Sequence, residues 1–317
     1  MYNLDNTIDY RKHQTEIVYL HKQSNNRILH QASSESSSES ESEGMTNDAS
    51  SCWMISVIQA LRGSSVFRSE HAPEHNEKNI LKKELFTLFD ISEGKNHQKR
   101  RPVKPQEIRE FKRLVIKHGL RAKMDHGFFE IPFLLFLLKK FDANPIEYLK
   151  SDSKTKKELV MSIPLTNTSK SRSFQAEIKK QKISFINKSK VPKFLPVYLD
   201  RPIEKHSYSK KDVSEEASRT PLDPSSTIEI PLADKSSKAR YKLTSVVIGR
   251  DSIGHAYSYV VEKDAKGKIV WVQYNDSKVI IHESPQTKKK SKNSNLTPVE
   301  DASKHGVLLL YEFSGYS

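Results

Sequence analysis

Residues Gly44–Leu61 read GMTNDASSCWMISVIQAL and contain the only cysteine of the 317-residue chain, Cys52. Apolar residues recur after it at three- and four-residue spacing, which predicts an amphipathic helix that ends near Gly63. The two serines before the cysteine are candidate N-cap residues, so Cys52 is predicted in the first helical turn. Unpaired backbone N–H groups there favour a thiolate. From this segment alone, a small buried hydrophobic cysteine is the more common outcome.

A second informative segment lies far downstream. His255 opens a predicted strand, and a hairpin turn connects it to a return strand, Ile269–Tyr274, which Asn275 and Asp276 follow directly. Neighbouring strands lie about 5 Å apart, so the correct register would bring His255 within hydrogen-bond reach of Asn275. A cysteine nucleophile needs an imidazole as proton acceptor and a third polar group that orients it. Taken singly, a surface histidine and an ordinary turn remain the alternatives.

In chain order, these segments resemble the cysteine and histidine boxes of the ubiquitin-specific protease family of deubiquitinases. The cysteine box is matched identically by Gly44, Asn47, Cys52, Met54, Ser56, Gln59 and Leu61. The histidine box is matched by Gly254, His255, Trp271, Tyr274, Asn275, Asp276 and Val279. Further strands of the family are similar to Pro192–Pro202, Ile228–Pro231 and Gly306–Glu312. The resemblance therefore covers the chain from about Gly44 to Glu312.

The resemblance implies an α+β, papain-like cysteine protease fold with a helical thumb and a strand-rich palm. It implies a catalytic domain over residues 44–317, preceded by a leader over residues 1–43. Many family members carry a four-cysteine zinc site in their fingers, which a chain with one cysteine cannot form. Any fingers are therefore expected to be short and free of zinc, and no cofactor is expected.

The resemblance also assigns roles to individual residues. Cys52 would attack the carbonyl carbon after the last glycine of ubiquitin, and His255 would act as general base and then as general acid. Asn275 would orient the imidazole, and Asp276 would help to position the ring or a water molecule. Asn47, five residues before the cysteine, matches the asparagine whose amide stabilises the oxyanion.

Several positions depart from the family pattern. The loop Asp48–Ser51 differs in sequence, Ala256 replaces a tyrosine, and the glutamine–aspartate box is degenerate over Asp125–Glu130. Gly254 keeps the expected glycine beside a narrow slot for the diglycine tail. Two alternatives stay open: a protease for another ubiquitin-like modifier, and a catalytically weak ubiquitin-binding module whose Asp48–Ser51 loop blocks the oxyanion hole.

The leader contains the tract SSESSSESESE over Ser33–Glu43, whose composition predicts disorder, with a docking segment or a phosphorylated tail as alternatives. The leader lacks the apolar core of a signal peptide. A single cysteine excludes an internal disulfide and fits a reducing compartment, so a cytoplasmic location is expected. We also expect a monomer. The compact, lysine-rich catalytic region resembles a microbial effector, which would act in the host cytosol.

The net charge is +14, with the densest basic runs at Gln98–Lys104 and Thr287–Lys292. Solvated loops explain such runs best, and nucleic acid or an anionic membrane surface is a secondary partner prediction.

The apolar run Phe128–Phe141 is too short to span a membrane and predicts a buried helix. The remaining segments predict two helices followed by a strand-rich half: helices Leu81–Asp90 and Pro105–His118, and strands Leu159–Leu165, Ile183–Ile186, Phe194–Leu199, Thr227–Leu232 and Tyr241–Ile248.

Overall fold

The computed structural model describes residues 43–48, 50–151, 154–165, 172–200, 221–250, 255–264, 266–283 and 296–317. The helices in these ranges are α1 (Cys52–Arg62), α2 (Ser65–His71), α3 (Ile80–Glu93), α4 (Pro105–Lys117), α5 (Glu130–Lys140), α6 (Phe174–Lys180) and α7 (Pro298–His305). The strands are β1 (Ile146–Leu149), β2 (Thr155–Glu158), β3 (Met161–Pro164), β4 (Arg172–Ser173), β5 (Ser184–Phe185), β6 (Phe194–Asp200), β7 (Leu222–Asp223), β8 (Thr227–Pro231), β9 (Lys238–Arg250), β10 (His255–Lys263), β11 (Ile269–Asn275), β12 (Lys278–His282) and β13 (Gly306–Tyr316).

The helix predicted after the cysteine is α1, which begins at Cys52 and ends before Gly63. Ser51 occupies the N-cap position, but its side chain makes no capping hydrogen bond. The helix packs across β9 and β10, where the Ser245 hydroxyl donates to the Ala60 carbonyl at 2.9 Å. Every residue of α1 is buried, so the sheet and the surrounding helices enclose it on all sides.

The other predicted helices are present with slightly shifted ends. Helix α3 ends at Gly94, whose φ of 69° is the left-handed conformation that glycine adopts readily. Helix α4 begins with Pro105, as expected for a proline in the first helical turn. Helix α5 lies within the apolar run and packs on α1, with the Phe133 ring edge-on to Trp53 at 5.3 Å. None of the helices in the described part of the chain has the length and apolarity needed to cross a bilayer.

The main sheet has the strand order β12-β11-β10-β9-β13-β6-β3, and β8 pairs with the first part of β9. All of these pairs are antiparallel except β3 with β6. A three-stranded sheet, β2-β1-β5, and a short pair, β4 with β7, lie outside it. One face of the sheet carries α1, and strand residues such as Leu195, Val246 and Leu309 are fully buried in the core. The predicted division into a helical half and a strand-rich half is therefore correct.

The end of the sheet that carries the histidine box is built from two successive hairpins. Strands β10 and β11 pair in a register that places Ser258 opposite Tyr274. Strands β11 and β12 are joined by a two-residue turn, because Asn275 pairs with Lys278. Asp276 begins this turn with a φ of 54°, a left-handed conformation that aspartate tolerates better than most residues. The turn places Asn275 and Asp276 at the same end of the sheet as the first residue of β10.

Candidate active site

Cys52 begins α1 and is only 9% exposed. Burial raises the pKa of its thiol to about 11, because removal from water disfavours the thiolate. Backbone hydrogen bonds from Ala256 and Trp53 act in the opposite direction, while the carboxylates of Asp276 and Glu130 add to the rise. The helix start alone predicts a lowered pKa, and that expectation is wrong for this structure because desolvation outweighs the backbone donors.

His255 and Asn275 lie next to each other where strands β10 and β11 meet the same end of the sheet. The imidazole Nε2 of His255 is 2.6 Å from Oδ1 of Asn275. An amide oxygen can only accept a hydrogen bond, so Nε2 carries the proton in this arrangement. The second ring nitrogen, Nδ1, then holds a free electron pair and can act as a base. The hairpin thus brings together the two residues that the sequence pairs.

The sheet also places the thiol next to the histidine strand. Ala256 directly follows His255, and its backbone is hydrogen-bonded to Cys52. Ala256, the small residue that stands in place of the family tyrosine, is itself only 3% exposed. The contact between α1 and β10 therefore brings the Cys52 thiol to the residue that follows His255.

The segment before Cys52 is attached to the β11–β12 turn. The Met45 N–H donates to the Asp276 carbonyl at 3.1 Å, and Thr46 and Gly44 exchange hydrogen bonds with Val103. A β-carbon on Gly44 would lie 2.6 Å from the Asp276 carbonyl oxygen, so only glycine permits this approach. The two boxes that carry the predicted site residues are thus joined by direct backbone contact.

Asn47 lies between the cysteine loop and Asp276. Its Oδ1 accepts from the Ser51 N–H at 3.0 Å, and its Nδ2 donates to Asp276 Oδ2 at 3.4 Å. The oxygen therefore fixes the backbone immediately before Cys52, and the amide nitrogen is directed toward the carboxylate. Cys52, His255, Asn275, Asp276 and Asn47 all lie in this one region of the structure.

The sequence analysis missed Lys112, a residue of α4 that is fully buried. Its Nζ donates to the Ser50 hydroxyl at 2.8 Å, the Ser50 carbonyl at 3.1 Å, the Met124 carbonyl at 2.6 Å and the His126 carbonyl at 3.4 Å. Burial lowers the pKa of this lysine, while the nearby carboxylates of Asp48 and Asp125 oppose the shift. The only sequence signal was a lysine on the apolar side of an amphipathic helix.

The loop that departs from the family pattern is held by polar contacts on both sides. The Asp48 carboxylate, with a side chain only 3% exposed, accepts from the Ser50 N–H at 3.3 Å and lies 3.8 Å from Nε of Arg109. The indole N–H of Trp53 donates to the Ser50 carbonyl at 2.8 Å. An aspartate in place of the usual apolar residue is therefore accommodated by neighbouring cations.

Part of the first basic run is paired within the chain. Arg101 makes a two-pronged contact with Glu107, and Arg100 lies 3.5 Å from Glu43. Gly254, most of the leader and the second basic run lie outside the described residues. Nucleic acid or membrane binding therefore stays a prediction from composition. Among the residues that the structure describes, no group of three or more His, Cys, Asp or Glu side chains is placed to hold a metal ion.

Comparison with known proteins agrees with this architecture. Over 86% of its length, the chain matches 69% of a structure described as an essential yeast splicing factor, with a TM-score of 0.58 and 13% identity. It also matches a structure of the Ubp8-Sgf11-Sgf73-Sus1 SAGA DUB module, with a TM-score of 0.55, 14% identity, and coverage of 87% of this chain and 68% of that chain. A search of curated proteins found no match.

The architecture is α+β, as the sequence predicts, and a family comparison identifies the class of enzyme. A family model for ubiquitin carboxyl-terminal hydrolase matches residues 43–311. The chain therefore belongs to the ubiquitin carboxyl-terminal hydrolase family, whose members are cysteine-type ubiquitin hydrolases. The recognition, the fold class and the enzyme class predicted from the sequence are confirmed.

Proposed function

We propose that this protein is a deubiquitinase that hydrolyses the peptide or isopeptide bond after the C-terminal glycine of ubiquitin, with Cys52 as the nucleophile. The observation that carries the proposal is the 2.6 Å contact between His255 Nε2 and Asn275 Oδ1, on the strand whose next residue, Ala256, is hydrogen-bonded to Cys52. This contact supports an oriented base for the only cysteine of the chain. The family assignment supports the ubiquitin substrate.

In the first half of the reaction, Nδ1 of His255 accepts the thiol proton while the sulfur of Cys52 attacks the glycine carbonyl carbon. A thiol whose pKa is raised to about 11 keeps its proton until that step, so the base acts during the attack. The new C–S bond forms a tetrahedral intermediate whose oxyanion needs hydrogen-bond donors. The C–N bond then breaks, and the protonated imidazole gives its proton to the leaving amine.

The second half of the reaction hydrolyses the thioester. His255 accepts a proton from water, the hydroxide oxygen attacks the same carbonyl carbon, and the C–S bond breaks. The thiolate of Cys52 recovers its proton from the imidazolium, so the enzyme returns to its starting state. Asn275 keeps the Nε2 proton in place through both halves and stabilises the imidazolium with its Oδ1. A reducing compartment such as the cytoplasm would keep the single thiol available.

We assign the oxyanion to the side-chain amide of Asn47 together with the backbone N–H of Cys52. In the structure, the Asn47 amide nitrogen is already directed toward Asp276 and its oxygen is fixed by Ser51. Asp276 therefore acts as the partner that holds the Asn47 donor before substrate arrives. This role is more specific than the one implied by the family resemblance, in which Asp276 helps to position the imidazole ring or a water molecule.

Capture by electrophile-tagged ubiquitin tests the proposal. Ubiquitin that carries a propargyl group at its C-terminus should add covalently to Cys52, as seen by the mass of the intact protein. The variant Cys52→Ala should bind ubiquitin without forming the adduct. The same experiment with other ubiquitin-like modifiers tests the alternative substrate, because an adduct with one of them and none with ubiquitin would reassign the specificity.

A catalytically weak ubiquitin-binding module is the second candidate. It is favoured by the raised pKa of Cys52, which keeps the thiol protonated, and by the Asn47 amide, whose N–H is occupied by Asp276. Wild-type protein that binds ubiquitin but forms no adduct with the tagged form would establish this second candidate instead.

A further inference from the structure

Lys112 is a buried cation next to the cysteine loop to which the proposed reaction gives no role. Its ammonium is fully buried, and it contacts oxygens of two separate segments, Ser50 on one side and Met124 with His126 on the other. These segments are not adjacent in sequence. The cation is therefore a bridge between the loop before the nucleophile and the loop after α4.

The contacts satisfy the ammonium group almost completely. A lysine has three N–H donors, and the three shortest contacts, at 2.6, 2.8 and 3.1 Å, use the oxygens of Met124 and Ser50. The Ser50 hydroxyl also donates to the Met124 carbonyl at 3.0 Å, which closes a small network. The lysine Nζ lies 5.6 Å from the centre of the Trp53 ring, within cation–π range.

Burial of a charge is costly, so a buried lysine with backbone ligands needs an explanation. The core alone does not require it, since an apolar side chain of similar length would fill the same space. Its ligands point to the loop instead, because Ser50 lies two residues before the nucleophile and directly precedes Ser51, whose N–H is fixed by Asn47. The network thus reaches the backbone that presents both the sulfur and the oxyanion donors.

The same loop is the part of the cysteine box that departs from the family pattern. Asp48 and Ser50 replace residues that need no cation, and in this structure both lie next to positive charge: Asp48 beside Arg109, and Ser50 on Lys112. Asp48 also acts electrostatically on Lys112. The altered loop and the buried lysine therefore form one unit.

We propose, building on the proposed deubiquitinase function, that Lys112 is a positioning residue that holds the Asp48–Ser51 loop so that the Cys52 sulfur and the oxyanion donors keep their reactive geometry. It touches neither the ubiquitin tail nor the reacting atoms. Displacement of a catalytic group by about 1 Å can cost about 100-fold in rate, so loss of the clamp should act on turnover. Ubiquitin binding should be affected little, since Lys112 is fully buried and presents no surface to the modifier.

The test compares Lys112→Met with Lys117→Met, which removes the same charge from an exposed position of the same helix. Steady-state cleavage of a ubiquitin–fluorophore conjugate is measured well below each melting temperature. For Lys112→Met, kcat should fall by roughly 10- to 100-fold, with KM changed by less than about threefold. For Lys117→Met, both constants should stay within about twofold of the wild type.

The variant Lys112→Arg separates positioning from stability. Arginine keeps the charge and the donors but is bulkier, so it should recover most of the lost kcat without having to restore the melting temperature. A kcat that recovers in Lys112→Arg, whether or not the melting temperature recovers, supports the proposal. A kcat that falls in proportion to the folded fraction, in all variants alike, would show a purely structural lysine and overturn it.

A further variant covers the case in which Lys112→Met does not fold. Ser50→Ala removes the 2.8 Å hydroxyl contact and leaves the cation in place, and it should lower kcat by a smaller factor at unchanged KM. Normal kcat in Ser50→Ala would then overturn the proposal. Failure of the underlying function gives a different result, since the wild type itself would neither cleave the conjugate nor capture tagged ubiquitin, and both proposals would fall.

Discussion

The α-carbon of Gly44 packs directly against the backbone carbonyl of Asp276, although the two residues come from opposite ends of the catalytic region. A β-carbon at residue 44 would lie 2.6 Å from the Asp276 oxygen and 2.7 Å from the Ser277 carbonyl group. The next residue, Met45, donates its N–H to the same Asp276 carbonyl at 3.1 Å. This contact sets the spacing between the cysteine box and the histidine box, and therefore between the side chains that each one carries.

Replacement of Gly44 by alanine should separate the two boxes. We expect Gly44→Ala to lower the free energy of unfolding by about 1–3 kcal/mol, as for other overpacked sites, and to reduce kcat as well. Gly267→Ala is the control, because that turn glycine has a φ of 76° but no atom within 4 Å of an added β-carbon. It should cost about 1 kcal/mol from backbone strain and leave kcat intact. Equal kcat values for the two variants would contradict the coupling.

The sequence predicts the parts of this site that depend on local pattern. Gly63 ends a helix that starts at Cys52, and the hairpin between His255 and Asn275 follows from alternating residues and a turn. Strand spacing predicts that those two side chains lie near each other, whereas the 2.6 Å contact itself depends on the register. Short helices with few apolar residues were not predicted, among them α2, α6 and α7, whose N-caps Ser64, Ser173 and Thr297 are clear only once the structure is known.

Two features of the site could not be predicted because they depend on tertiary burial. The start of a helix lowers a thiol pKa by itself, yet burial of Cys52, with a smaller contribution from the nearby carboxylates, raises it instead. Lys112 lies in a helix with several other basic residues, and its place on the apolar side is the only feature of the local sequence that separates it from Lys117. Its burial comes from the loop that carries Met124, whose path the sequence pattern does not give.

Asn275→Ala should reduce turnover much more than ubiquitin affinity. Without Oδ1, nothing holds the proton on Nε2 of His255. The ring can then adopt the other tautomer, in which Nδ1 carries the proton and cannot accept one from the thiol. We expect kcat to fall by about 100-fold or more while KM changes little, measured with a ubiquitin–fluorophore conjugate.

Two further variants control for the identity of the orienting residue. Asn275→Asp keeps an oxygen acceptor at the same place and should retain much more activity than Asn275→Ala. Asp276→Ala should reduce activity through Asn47 and leave the imidazole contact in place. Near-normal turnover in Asn275→Ala combined with an inactive Asp276→Ala would exchange the roles of the two residues.

Asn47→Ala tests the oxyanion assignment. Loss of one oxyanion donor typically costs about 100- to 1,000-fold in kcat, and this variant should fall in that range. Asn47→Asp separates the donor from the structural contact, because a carboxylate still accepts from the Ser51 N–H but cannot donate to an oxyanion. It also places a second negative charge beside Asp276. An Asn47→Asp variant with wild-type kcat would reduce the role of Asn47 to support of the loop.

The pH dependence of thiol alkylation tests the electrostatics of the free enzyme. Burial raises the pKa of Cys52 to about 11, so the thiol is neutral at pH 7, with a thiolate fraction of about 1 in 10,000. Because deprotonation produces the reactive form, the rate of alkylation by iodoacetamide should rise about tenfold for each pH unit from 7 to 9.5 without levelling off. Intact mass gives the rate directly, since the chain has one cysteine.

The unfolded chain in denaturant provides the reference for that profile. Its exposed cysteine should titrate near the ordinary value of about 8.5, so its alkylation rate should level off above pH 9. At pH 7 the folded protein should react more than 10-fold more slowly than the unfolded chain, because both desolvation and restricted access act against it. A folded protein that reacts faster than the unfolded chain at pH 7 would mean that the helix start and the histidine stabilise a thiolate in the resting enzyme. Proton transfer to His255 would then precede substrate binding, and the general-base step proposed for the attack would be wrong.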